Sequence, residues 1–176
     1  IPEDAAKAIY EEIDAFAEYA FNKAHAVCYA VVAYQTAYLK YYYPREFMAA
    51  LMTSIMDNVT KVSEYILACR NMGIGILPPD ITEGVSGFSV SGNSIRYGLS
   101  AIKSVGRAVV DVIISERETG GPFSTLEDFV SRMSNREVNK RTLESFIKSG
   151  SLDSLPGTRR QKVAVAPVLL DNKARE

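Results

Sequence analysis

Between Gly98 and Arg107 the chain reads Gly-Leu-Ser-Ala-Ile-Lys-Ser-Val-Gly-Arg, and an apolar stretch of helical character follows from Ala108 to Glu116. The pattern predicts two short helices joined by a tight turn at Val105-Gly106. Glycine at such a turn implies a positive φ, or a backbone approached too closely for a Cβ to fit. The helix after the turn offers unpaired backbone N–H groups and the positive end of its dipole, which together suit a phosphate. The amides of Val105, Gly106, Arg107 and Ala108 are the candidate donors, with Ser104 beside them and Lys103 and Arg107 supplying charge. The competing reading is a pair of packed helices that binds nothing.

A looser copy runs from Asn139 to Leu152. Its corresponding donors would be Ser149, Gly150 and Ser151, with Lys148 nearby and Lys140 and Arg141 at the head of the segment. Gly150 also fits a simple helix C-cap. Two such copies are the sequence form of a tandem helix-hairpin-helix, and a pair of them points to the backbone of duplex DNA. Contacts of that kind set register without reading sequence, so binding is expected to be non-specific and strongly salt-dependent. Arg132, Arg136, Arg159 and Arg160 either extend this footprint or form ordinary solvated surface.

The charge distribution supports one polyanion-facing part. The net charge is −1. Residues 1–85 carry 6 basic and 11 acidic side chains, whereas residues 86–162 carry 12 basic and 8 acidic. That asymmetry marks the second half as the basic one.

Other chemistry finds little footing. Two-metal nucleotidyl transfer needs carboxylates clustered around ions about 4 Å apart. Here the acids come as adjacent pairs, Glu11-Glu12 and Glu127-Asp128, on helix surfaces, with no Asp-x-Asp on a predicted strand. No catalytic or metal-binding residue is therefore assigned. One histidine and two cysteines, Cys28 and Cys69, cannot supply a structural zinc site. Two buried free thiols in a reducing cytosol are expected instead. No run of about 18 uncharged apolar residues exists, so no membrane span is expected. The start at Ile1-Pro2 suggests an excised segment of a longer chain.

The elements that must position these residues are mostly helices. Residues 3–20 show helical spacing, with Ile9, Ile13 and Phe16 on one face. Phe21 to Lys23 interrupt the pattern. Ala24–Tyr43 is apolar nearly all round, which predicts a helix buried at the centre of the N-terminal half. Its tyrosines Tyr34, Tyr38 and Tyr41 could stack bases, but their helical spacing predicts core. Pro44 opens a helix to about Met56. Asp57 or Asn58 caps the next, which Gly73 stops. Leu77-Pro-Pro-Asp80 reads as a rigid connector and a subdomain boundary. Gly92-Asn93 predicts a two-strand hairpin. Ser124-Thr-Leu-Glu127 reads as a capping box. A weaker terminal helix begins at Arg159-Arg160, is disturbed by Pro167, and frays.

Several stretches carry a family resemblance. Phe16–Lys40, Tyr43–Met52, Met72–Ile81, Ile95–Gly106 and Asn139–Gly150 resemble, in order and spacing, the bacterial C-family replicative DNA polymerases, the DNA polymerase III alpha subunits. The resemblance covers roughly residues 5–162. It implies a mainly α fold: the C-terminal part of a helical fingers domain over 1–80, a small β-hairpin and a tandem helix-hairpin-helix duplex-binding domain over 81–165, and a frayed tail over 166–176. It places Asn22, Lys23 and His25 near the incoming nucleotide or template, where Lys23 would meet phosphate oxygens; a capping turn is the plainer reading of the same residues. It puts the metal-binding aspartates and their Mg2+ in a part upstream, so this segment would hold no cofactor and be inactive alone. The implied partners are duplex primer-template DNA, the remaining polymerase chain and replisome subunits, with no membrane, in the bacterial cytoplasm. The rivals are a helical protein-interaction module and a helix-hairpin-helix repair or recombination factor.

Overall fold

The computed structural model describes residues 1–18, 23–133 and 138–173. It is mainly α, with one small sheet. The chain divides into two compact units, Ile1–Tyr43 and Pro44–Glu176.

The first unit holds α1 (Glu3–Glu18) and α2 (Lys23–Tyr42). Both helices form where the periodicity places them, but α2 buries no residue. Tyr34, Tyr38 and Tyr41 are 71%, 46% and 78% exposed, so the expected tyrosine core is not present. Two helices make too few layers to enclose one that is apolar on every side. Cys28 on α2 is exposed as well, and only Cys69 is a buried thiol. No helix among the described residues is long and apolar enough to cross a membrane.

The second unit begins with α3 (Pro44–Ser54) and α4 (Val59–Asn71). Asn58 caps α4 by accepting from the Lys61 amide at 3.1 Å, and Gly73, at φ 73°, turns the chain out of it. Three short strands follow: β1 (Gly75–Leu77), β2 (Ser89–Ser91) and β3 (Ser94–Arg96). β2 and β3 form the hairpin, with Gly92 at φ 58° as its turn. β1 adds to the other side of β3, in parallel, with Ile76 opposite Ile95. The sequence reading missed β1, because three residues containing a glycine show no alternation.

That strand bears on the boundary expected near residue 80. Residues on both sides of Pro78-Pro79 share one sheet, and a core of Met48, Met52, Val62, Cys69, Ile74, Phe88 and Ile95 spans it. The connector is also tied forward, since the Ile81 amide donates to the Ser151 carbonyl at 2.8 Å and the Ser154 hydroxyl to Asp80 at 3.2 Å. In compactness the chain therefore divides at 43/44.

A 3-10 turn (Leu99–Ala101) leads into α5 (Arg107–Gly120), α6 (Leu126–Arg132), α7 (Lys140–Ser149) and α8 (Arg159–Lys173). Their apolar faces converge on a second core around Ile113, Phe129, Leu143, Phe146 and Leu152. The frayed tail expected from residue 166 is instead helical through Lys173. Ala166 is buried and Leu169 and Leu170 pack on the core, so burial holds a helix that Pro167 alone would weaken. Lys162 is buried on the same helix, and its ammonium donates to the carbonyls of Leu152 and Leu155 at 2.6 and 2.7 Å. That burial lowers its pKa.

The cap of α6 falls one residue later than expected. Thr125, not Ser124, accepts from the Asp128 amide at 3.0 Å, while the Asp128 carboxylate accepts from the Ser124 amide at 2.8 Å. Those backbone and hydroxyl bonds from Ser124, with Arg132 at 3.6 Å, hold the Asp128 carboxyl below its usual range. Bonds from the Arg159 guanidinium do the same for Asp153. A carboxyl whose folded pKa is depressed contributes stability above its unfolded value, about 3.9, and loses it as pH falls through the folded value. The thermal midpoint should therefore fall on acidification from about pH 5 to below the unfolded value, and fall less steeply in Asp128→Asn. A flat profile in the parent chain would contradict this.

Candidate nucleic-acid interface

Leu99, Ile102 and Val105 recur every third residue, and all three are buried. Their burial turns Lys103, Ser104, Gly106, Arg107 and Ala108 outward, where each is exposed. Two ladder-like bonds fix the approach: the Leu99 amide donates to Val85 O and the Ser100 amide to Ser86 O, both at 3.0 Å. Gly98 is required here, since a Cβ would lie 2.6 Å from the Gly87 carbonyl carbon.

Of the two reasons expected for Gly106, its conformation removes the positive φ and leaves the close approach. Its φ is −82°, and a Cβ built there meets nothing within 4 Å. The left-handed residue is Ser104, at φ 68°. A non-glycine residue in that region costs about 1–2 kcal/mol. The protein's own packing thus leaves open space above Gly106, at the N-cap of α5, where no side chain caps the helix. Of the four expected donors, the Val105 amide is taken by the Ile102 carbonyl at 3.1 Å, and those of Gly106, Arg107 and Ala108 open toward solvent with the positive dipole end behind them. Lys103 and Arg107 are exposed cations, and neither forms an ion pair among the described residues.

The second copy is built differently. Asn139 caps α7 by accepting from the Thr142 amide at 3.1 Å, and Leu143, Phe146 and Ile147 turn inward. Gly150 adopts the left-handed C-cap, φ 85°, with its amide donating to Ile147 O at 3.2 Å. Of its two expected roles, this is the one its backbone takes. Ser151 is fully buried, and its hydroxyl donates to Phe146 O at 2.9 Å, so it offers no accessible donor in this conformation. The Ser149 hydroxyl donates to the same carbonyl. Lys148 stays exposed, paired with Glu144 at 2.8 Å. Lys140 and Arg141 are exposed at the start of α7. Lys103 of the first hairpin meets Lys148 and Ser149 of the second around one cavity.

Three arginines do structural work. Arg132 donates to Glu116 and to the Gly121 carbonyl and lies 4.4 Å from the Phe123 ring centroid. Arg159 is paired with Asp153. Arg117, which the sequence reading passed over, donates to the carbonyls of Ile81 and Gly84, both at 2.9 Å. Its i+3/i+4 spacing gave no sign of this, because the partners are main-chain oxygens about 35 residues upstream. Arg160 is exposed, and Arg136 lies outside the described residues. In the first unit Lys23 and His25 occupy the first turn of α2, with His25 edge-on to Tyr29 at 4.4 Å between ring centroids. Asn22 lies outside the described residues. Among the described residues no three His, Cys, Asp or Glu side chains gather closely enough to hold a metal.

The chain belongs to the helix-hairpin-helix motif family, which matches residues 73–162. Along nearly its whole length it is also similar to bacterial DNA polymerase III alpha subunits. It is 45% identical to that of Thermus aquaticus over 96% of this chain, and 44% identical to that of Deinococcus radiodurans over 99%. The Vibrio cholerae subunit is 45% identical over 92%. The chain spans about 14% of the length of these curated relatives. The resemblance carried by residues 5–162 is thus borne out.

Proposed function

We propose that this chain is the part of a bacterial replicative DNA polymerase that holds newly formed primer-template duplex by its sugar-phosphate backbone. The observation that carries the reading is the open, uncapped N-terminus of α5 at Gly106–Ala108, flanked by Lys103 and Arg107. A phosphate seated there accepts from backbone amides and faces two cations, and no base edge is read. Lys148 and Ser149, with Lys140 and Arg141, form the second, weaker contact. Residues up to about 80 belong to the fingers, and Asn22, Lys23 and His25 lie toward nucleotide or template. Residues 81–165 form the duplex-binding part. The chain supplies no catalytic group. The carboxylates and Mg2+ of nucleotidyl transfer belong to another part of the polymerase, which with the replisome subunits is its partner in the cytoplasm.

The test is fluorescence anisotropy of the chain with labelled duplex and single-stranded DNA over a salt series. Duplex should be preferred irrespective of sequence. With Lys103, Arg107 and Lys148 each neutralising about one phosphate, log K should fall against log salt with a slope of about −2 to −3. That is roughly fifteen- to sixtyfold between about 50 and about 200 mM. Salt-independent binding, or none at low salt, would overturn the reading.

A further inference from the structure

A cavity of about 540 Å³ opens between the two hairpins, within the second compact unit. Its size is that of sites for drug-sized ligands, which run from about 300 to about 1,000 Å³. Val59, Pro79, Tyr97, Ala101 and Ile102 give it apolar walls, and Lys103 and Lys148 add two ammonium groups. Three observations narrow its occupant. Without nucleic acid Lys103 has no ion-pair partner among the described residues, whereas Lys148 is already paired with Glu144 at 2.8 Å, so Lys103 is the charge open to a ligand. The Tyr97 ring is braced edge-on by Phe88 at 4.8 Å, while its hydroxyl makes no hydrogen bond to the described residues. The walls come from α4, the proline connector, the end of β3, the first hairpin and α7, so the pocket is part of the packed unit rather than one helix face.

A bare inorganic anion would satisfy the lysines and leave the walls wet. A wholly apolar molecule would fill the walls and strip water from Lys103 without replacing it, which is costly. We propose that this cavity is a binding site for a small aromatic anion, a ring system bearing one phosphate or carboxylate group. The ring stacks among Tyr97, Ile102 and Pro79, and the anionic group meets Lys103 and Lys148. Measured without nucleic acid, this site stands or falls independently of duplex binding.

The probe is 1-naphthyl phosphate, titrated calorimetrically into the chain and followed by amide chemical shifts. Saturable one-to-one binding is expected, with shifts concentrated at residues 97–103 and 145–149. Inorganic phosphate alone and neutral 1-naphthol should each bind at least about tenfold more weakly. Ala101→Phe and Ser145→Leu fill the space from two different elements, and each should raise Kd at least about tenfold with an unchanged circular dichroism spectrum. If one filling variant fails to fold, the other decides. The proposal is overturned by unchanged affinity in a folded filling variant, by equal binding of 1-naphthol, by absence of saturable binding, or by shifts confined to the exposed tyrosines of α2.

Discussion

Phe146→Ala is expected to destabilise the second unit by about 3–5 kcal/mol, the usual result of deleting a fully buried phenyl ring. The ring is 0% exposed and stands edge-on to Phe129, 6.1 Å between centroids, so both the transfer term and the cavity term apply in full. α7, which carries it, packs on α8, as α6 does. The same residue's carbonyl accepts from the hydroxyls of Ser149 and Ser151, both at 2.9 Å, so its displacement also loosens the end of the second hairpin. Against a total stability of about 5–15 kcal/mol, that loss leaves a marginal domain. Urea unfolding followed by circular dichroism should show a much lower midpoint at unchanged slope. Phe16→Ala on α1, where the ring is 70% exposed, should move it by no more than about 0.5 kcal/mol. Equal effects at the two sites would contradict the assignment of the core.

The second large effect concerns affinity. Replacing Lys103 and Arg107 together by glutamine should weaken duplex binding by about tenfold or more at low salt and flatten the salt slope by about 2. Both side chains are exposed and make no ion pair among the described residues, so the fold should be unaffected. Arg132→Gln is the informative contrast. Its guanidinium is engaged with Glu116, Gly121 and Phe123. It should lower stability while leaving the salt slope nearly intact. Identical slopes in the double variant and the parent would show that these cations do not meet phosphates.

Much of the fold could be read before any coordinates. The helices around residues 3–18, 44–54, 59–71 and 107–120 follow from period and capping residues, and Gly92-Asn93 identified its hairpin, because these signals are local. What escaped was non-local. β1 exists because β3 offers it an edge. The arginine clamps at 117 and 132 reach carbonyls that sequence spacing does not connect. The burial of α2 was over-read because an apolar helix states what it would bury, not whether a partner surrounds it. At the candidate site Ser151 turns out buried, with its hydroxyl on Phe146 O, and the positive φ expected at Gly106 is absent. Of the two reasons offered for a glycine at 106, the positive φ belongs to Ser104, because a turn formula gives the class of bend and not the residue that makes it. Gly150 presented two roles that only its backbone conformation separates.

The central claim is that the Gly106 amide and the space above it receive a phosphate. At φ −82°, with no atom within 4 Å of a Cβ, both proline and alanine fit the free protein. Gly106→Ala removes only the space, and Gly106→Pro removes the donor as well. The decisive measurement is duplex affinity of both variants beside the parent by anisotropy at low salt, with their unfolding midpoints. The account predicts stability within about 1 kcal/mol of the parent in both, with affinity reduced at least about tenfold in Gly106→Pro and measurably in Gly106→Ala. Parent-like affinity in both folded variants would contradict it.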